Sequence, residues 1–217
     1  MTDKITLWGR SSSCNVQKAL WALHELQLPY VHHLVGGSHG GLDEPSFRAL
    51  NPNGLVPVLQ DGDLTLWESH ACLRYLAAAY GEDSLWRAHV RQRAMVDQWT
   101  DWVATTFQPA WIQVFWLFVR TPVEQHDIIA IAAAMEKIEP LMALLEGQLA
   151  RQAYLVDDRL SYADIAVGVS LYRWFSMEIQ RLALPNLERY YALLQERAAF
   201  RRGAMIAYPE LVGRLAF

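Results

Sequence analysis

The residues with the most specific chemistry lie in the stretch 51–69, NPNGLVPVLQDGDLTLWES. A turn signal, Asn51-Pro52-Asn53-Gly54, leads into a short apolar run that contains Pro57. A proline offers no ladder donor, so Pro57 belongs at an edge, at a strand start or in a cis bend. A cis Val56-Pro57 bond would turn the Val56 N–H and C=O outward together, ready to pair with an extended peptide. Asp61-Gly62 is a two-residue hairpin signal, with 64–67 as the returning strand. Glu68-Ser69 then opens a helical pattern through Leu73, Leu76 and Ala77, with Ser69 expected as its N-cap. The free N–H groups of such a helix start attract a carboxylate. A backbone pairing edge beside a carboxylate site suits a small peptide acid.

A second cluster of polar residues precedes the first helical pattern: Ser11, Ser12, Ser13, Cys14 and Asn15. Taken alone, the three serines read as helix-capping loop residues. Cys14 near a helix N-terminus could be a mixed-disulfide nucleophile. No second cysteine follows at CxxC spacing, which favours a small buried hydrophobe, and Cys72 lies on an apolar helix face. His32 and His33 are strand neighbours that point to opposite faces, a poor metal pair, and no metal site is expected.

These residues are positioned by a chain of 217 residues, long enough for one or two domains with a sizeable core. A 53% hydrophobic share with nine tryptophans indicates dense packing. Net charge of −4 gives no support to nucleic-acid binding. No stretch is long and apolar enough to span a bilayer, and Met1-Thr2-Asp3-Lys4 starts no signal peptide, so the expected location is the cytoplasm. Residues 5–7 alternate as a strand, and Val16, Ala19, Leu20, Leu23 and Leu26 mark a helix. Residues 30–35 read as a strand, 36–42 as a glycine-rich mobile loop, and 43–50 as a short helix. With the central stretch this gives β-α-β-α-β-β-α, a small mixed sheet with helices packed on it. Beyond a linker at 80–87 strand signals vanish. Residues 90–107 read as helix, kinked or stopped near Pro109, followed by 110–119. Thr121, Pro122 and Glu124 read as N-cap, N1 and N3 of a helix running to Leu149 past Pro140. Ser161-Tyr162-Ala163-Asp164 is a capping-box relative ahead of an all-apolar helix, with Asp164 a capping residue. Further helices start at Pro185 and near Phe200.

The segments NPNGLVPVL, Glu68-Ser69 and SYADIAVG at 161–168, in this order, resemble the cytosolic glutathione transferases, and SSSCNVQKALW looks most like their bacterial, theta-like, serine-using branch. The resemblance implies a thioredoxin-like domain at 1–79, a linker at 80–87 and an all-helical domain at 88–217. It implies that Val56, after which Pro57 bends the chain, pairs with the cysteinyl part of glutathione. Ser69 and its helix start would take the γ-glutamyl carboxylate, and Glu68 the ammonium. His39 and Asn53 would reach the glycyl carboxylate, although family members often carry a basic residue where Leu55 stands. Asp101 would reach the γ-glutamyl ammonium across a dimer interface. Trp8, Trp102, Phe107, Trp111 and Phe115 would wall the pocket for an apolar electrophile, with core packing as the alternative for about half of the aromatic residues in this region.

The implied chemistry needs a thiolate, and no permanently bound cofactor. A free thiol titrates near ~8.5, and lowering that by about two units takes roughly 2.7 kcal/mol. One hydroxyl donor to a charged acceptor supplies about 1.5–3 kcal/mol and a helix N-terminus about 0.3–1. Setting Asn15 against the arginine common here in theta-like members makes Ser11 the catalytic match. Ser12 and Ser13 stay as alternates, and Asn15 as a second donor. The resemblance implies a homodimeric detoxification enzyme. Glutathione-dependent isomerisation, dehalogenation, or a non-catalytic glutathione-binding role would use the same first-half residues.

Overall fold

A computed structural model describes residues 4–82 and 84–216; the start Met1-Thr2-Asp3, Asp83 of the linker, and Phe217 lie outside the described residues. Four strands form one sheet: β1 (Ile5–Trp8), β2 (Tyr30–His33), β3 (Val58–Asp61) and β4 (Leu64–Trp67), in the order β2-β1-β3-β4. β1 runs parallel to β2 and antiparallel to β3, and β3–β4 is a hairpin. Between them lie α1 (Cys14–Glu25), a 3₁₀ turn (Gly37–His39) and α2 (Pro45–Leu50), and α3 (Ser69–Tyr80) closes the unit. The β-α-β-α-β-β-α order expected from the sequence is the observed one. The third strand starts only at Val58, because Pro57 cannot donate to a ladder.

The rest of the described chain is helical: α4 (Val90–Trp102), α5 (Gln108–Phe115), α6 (Ile128–Leu149), α7 (Tyr162–Ser176), α8 (Pro185–Glu196) and α9 (Ala198–Gly203). Two π turns, Val103–Phe107 and Trp116–Arg120, flank α5. The first lets α4 run on into α5 in spite of Pro109, which sits in the first turn of α5. The helix expected from Thr121 begins six residues later. Thr121 is extended, Val123–Gln125 is a separate 3₁₀ turn, and Asp127 accepts from the N–H groups of Ile129 and Ala130. Asp127 is therefore the cap, and α6 runs unbroken through Pro140.

The sheet face carrying Ile5 and Leu7 packs on α1 and α3, and α1 in turn packs on α7 and α9. One apolar core thus runs through both halves. α7 is its axis, buried along nearly its whole length, with Ser161 and Asp164 forming the expected capping box. Asp164 is wholly buried and accepts from Leu155 N–H, Ser161 N–H and hydroxyl, and Tyr190 hydroxyl. No helix among the described residues is long and apolar enough to cross a membrane.

Candidate active site

The site is assembled where β1, α1, β3 and α3 meet. The chain leaves β1 through Gly9, whose φ of +146° is open to glycine. A Cβ there would fall 2.4 Å from Val16 and 3.0 Å from Val56, so the absent side chain lets the serine loop lie against Val56. The Val56-Pro57 peptide is cis. Among the described residues nothing hydrogen-bonds the Val56 N–H or C=O, which leaves a free pairing edge beside that loop.

The three serines differ. Ser12 is buried and its hydroxyl donates to the Glu210 carboxylate, which also accepts from Ser38 at 3.3 Å. Its one proton is thereby committed, and a carboxylate beside it disfavours a second anion. Ser13 is the extended N-cap of α1, with no side-chain capping bond. Ser11 is half-buried, and its carbonyl accepts from Gln17 at 2.9 Å. Cys14 is buried in the first turn of α1. Cys72 is core, its thiol pushed up to about 12 chiefly by burial.

At the start of α3, Glu68 rather than Ser69 occupies the cap position, with φ +70° and ψ 114°. Its carbonyl accepts the first helical bond, from Cys72 at 3.0 Å, so the N–H groups of Ser69, His70 and Ala71 stay open. A non-glycine residue in this region costs about 1–3 kcal/mol, which points to a local constraint. Ser69 is the first helical residue and is buried, its hydroxyl turned toward Asn15 Oδ1 at 3.4 Å. Asn15 Oδ1 also accepts from Lys18 and Gln108, each at 3.2 Å. Asn15 is thus tied to the α3 end of the site.

Lys18 and His70, both buried beside Ser69, were not singled out from the sequence. Burial first, then Lys18 and Arg74, hold His70 down to about 2, so it stays neutral. A signal for Lys18 existed: it shares an arc of α1 with Cys14, Trp21 and Ala22, all buried.

The remaining expected contacts scatter. His39 is exposed on the 3₁₀ turn. Asn53 donates its N–H and Nδ2 to Asn51 Oδ1 at 3.0 and 3.1 Å, and buried Asn51 donates to the Leu55 carbonyl at 2.8 Å. Asn53 therefore helps lock the turn. Asp101, largely exposed, accepts from Arg74, which also donates to Asp97 at 2.6 Å. Trp8 does not join the other aromatics: strand alternation puts it on the opposite sheet face, stacked on His33 at 4.2 Å and donating to Gln60 at 2.7 Å.

Phe107, Trp111 and Phe115 are core residues rather than an open wall. Trp102 is half-buried, stacks on Phe107 at 5.2 Å, and lines a hollow of about 310 Å³ with Trp99, Leu144, Gln148 and Arg151. The π turn Val103–Phe107 adds one residue and so rotates the helix after it by about 100°, which breaks the helical phase on which the expected wall relied. The mouth is instead covered by the C-terminal segment, which sequence reasoning left unassigned. Tyr208 meets Phe115 at 5.2 Å, the Arg173 guanidinium lies over both rings, and Glu210 holds the serine loop. A crevice of about 760 Å³ at the C-terminal end of α1 lies roughly 16 Å away along that helix and touches none of these residues. Among the described residues no group of three or more metal-ligating side chains is close enough to hold an ion.

A free backbone edge just before a cis-proline, an open helix start and a hydroxyl loop define a thioredoxin-like thiol-peptide site joined to a helical half. Comparison with known proteins agrees. The model for the glutathione S-transferase N-terminal domain matches residues 12–79, and that for the C-terminal domain matches 107–198. Glutathione S-transferase GstB of Escherichia coli K12 is 43% identical over 93% of this chain and 98% of its own. Glutathione S-transferase 4 of Zea mays is 30% identical over 94% of this chain and 93% of its own. The theta-class enzyme of Xanthomonas axonopodis pv. citri, solved with glutathione bound, superposes with a TM-score of 0.91 at 46% identity, covering 95% of this chain and 99% of that one. The chain belongs to the glutathione S-transferase family, and it is a glutathione transferase.

Proposed function

We propose that the protein ionises the thiol of bound glutathione with a serine hydroxyl and passes the sulfur to an apolar electrophile. The unpaired Val56 amide beside the serine loop carries this reading, because a cysteinyl backbone paired there brings its sulfur to that loop. The γ-glutamyl carboxylate sits at the open N–H groups of Ser69, His70 and Ala71, and Glu68 takes the ammonium. His39 and the Asn53 turn face the glycyl end. Ser11 and Ser13 are the candidate donors, since Ser12 already donates to Glu210. The thiol proton leaves to solvent, the thiolate lone pair forms the S–C bond, and the leaving group departs with its bonding pair. No general base is needed, as one charge-assisted bond and the start of α1 supply about 2–4 kcal/mol.

The electrophile enters between the serine loop and the helical half, on the side that Tyr208 and Glu210 cover. We place the domain division at 1–79 and 88–217. The protein acts as a cytoplasmic homodimer in detoxification, supported by exposed apolar residues Trp67, Tyr80 and Met95 on and beside α3 and α4. Asp101 then faces the partner while paired with Arg74.

Ultraviolet titration of the bound thiolate tests the reading. Ser11→Ala raises the bound thiol pKa by about one to two units and lowers turnover at pH 7 by about ten- to a hundredfold, with glutathione affinity within a few-fold of wild type. If none of Ser11→Ala, Ser12→Ala and Ser13→Ala moves that titration, hydroxyl activation is wrong. Turnover of no member of a broad electrophile panel, with glutathione still bound, would leave only a binding role.

A further inference from the structure

Lys18 is 1% exposed, and no carboxylate lies within hydrogen-bonding reach of its Nζ among the described residues. Its partners are all neutral acceptors: Gln108 Oε1 at 2.5 Å, His70 Nε2 at 2.8 Å, Asn15 Oδ1 at 3.2 Å and Ser69 Oγ at 3.5 Å. Burying an ammonium this way is costly unless an anion joins it. The nearest open anion site is the start of α3, one side chain away, where Ser69 carries the hydroxyl that both Nζ and Asn15 touch.

We propose that Lys18 is a positioning residue for the γ-glutamyl carboxylate of glutathione: acting through Ser69, its ammonium supplies the full positive charge that the start of α3 lacks. The proposal rests on the glutathione reading of the site. A helix N-terminus alone carries about half a unit charge, whereas Lys18 adds a whole one from within the core, where solvent does not screen it. Placed behind Ser69 rather than in the open, the charge cannot be drawn off by other anions and is aimed at one carboxylate.

Polar and titratable groups from several elements face Lys18. From α1 it faces Cys14 and Asn15, from α3 Ser69 and His70 with Arg74 one turn further, from α5 Gln108, and from the residue before α3 the Glu68 carboxylate. Burial pulls its pKa down to about 8, opposed by Cys14 and Glu68. His70 stays neutral throughout. Lys18 is therefore mostly charged at pH 7 and loses its charge as the pH rises through 8, while a bound carboxylate favours the charged form. Affinity for glutathione should fall over that window.

Calorimetric titration with S-methylglutathione, which has no ionisable thiol, and with its analogue lacking the γ-glutamyl carboxylate, 4-aminobutanoyl-S-methylcysteinylglycine, tests this. At pH 7 Lys18→Met weakens S-methylglutathione by about ten- to a hundredfold and the analogue by less than about threefold. In the wild type, S-methylglutathione loses about fourfold in affinity between pH 7 and 8.5 and the analogue does not. A purely structural role for Lys18 would weaken both ligands equally, and that result overturns the proposal. If the variant does not fold, the wild-type ratio between the two ligands still decides, and a ratio flat from pH 7 to 8.5 overturns it. Failure of both ligands to bind the wild type would instead sink the glutathione reading.

Discussion

The peptide end of the site and the aromatic region of the helical half are made of different material. From Asn51 to Ser69 the binding features are backbone groups: the free Val56 edge and the open N–H groups at the start of α3. From Trp102 to Phe115 the features are side chains on consecutive helical turns, and most of them point into the core. Backbone recognition is fixed by turn chemistry, so it sits where proline, glycine and cap residues put it. A side-chain wall depends on helical phase, which the π turn Val103–Phe107 resets. On the proposed reading the peptide end is fixed by backbone, whereas the electrophile side depends on the C-terminal segment that holds the serine loop.

The largest effect that would break this contrast is at Trp111. Because it is wholly buried, Trp111→Ala should cost about 3–5 kcal/mol of stability, read as a lowered urea midpoint, with glutathione affinity unchanged in the protein that stays folded. Stability near wild type together with an altered electrophile KM would return Trp111 to the pocket.

Next in size is a pH effect at the peptide end. The folded pKa of Lys18, about 8, lies below the unfolded value near ~10.4. The unfolded chain thus binds more protons between those limits, so wild type gains stability relative to Lys18→Met as pH rises from 8 to 10.4, by on the order of 3 kcal/mol. That contribution is absent below pH 8. Parallel denaturation curves for the two proteins across the window would show that Lys18 is solvated after all.

Among the serines, Ser12→Ala separates loop architecture from thiolate donation. It removes a donor to Glu210 but no donor to sulfur, so the bound thiol pKa should stay put, in contrast to Ser11→Ala. A rise of one unit or more, seen by ultraviolet titration, would mean that Glu210 swings away when glutathione binds. The smallest effect falls at Asn53. It is exposed and, among the described residues, bonds only to its own turn, so Asn53→Ala should cost within about 1 kcal/mol of stability and shift glutathione KM less than about threefold. A tenfold KM change would make it a direct glycyl contact.

Legibility in the sequence divides along the same line. The strand and helix order of the first half was legible because Pro29, Asn53-Gly54 and Asp61-Gly62 punctuate it. α7 was legible because its cap and apolar run agree. The start of α6 was not: Thr121-Pro122 and Asp127 are both sound caps six residues apart, and only the side chain that reaches an amide decides between them. Lys18 was passed over because a lysine in an amphipathic helix ordinarily reads as its wet face. Tyr208 and Glu210 were invisible because their partners, Phe115, Ser176, Ser12 and Ser38, lie far off in the chain.

α1 belongs to both halves at once. Its N-terminus carries the serine loop, while its middle is pressed by α9: a Cβ on Gly203 would fall 2.4 Å from Trp21 Cα and 2.5 Å from its nitrogen. Backbone lies on backbone there, with no flexible side chain to yield. A chimera that grafts a foreign helical half onto this first half must therefore bring a glycine to that spot, or it will displace the helix that carries the serines. The unit of inheritance for the chemistry is then not the first half alone but that half together with the far end of the chain.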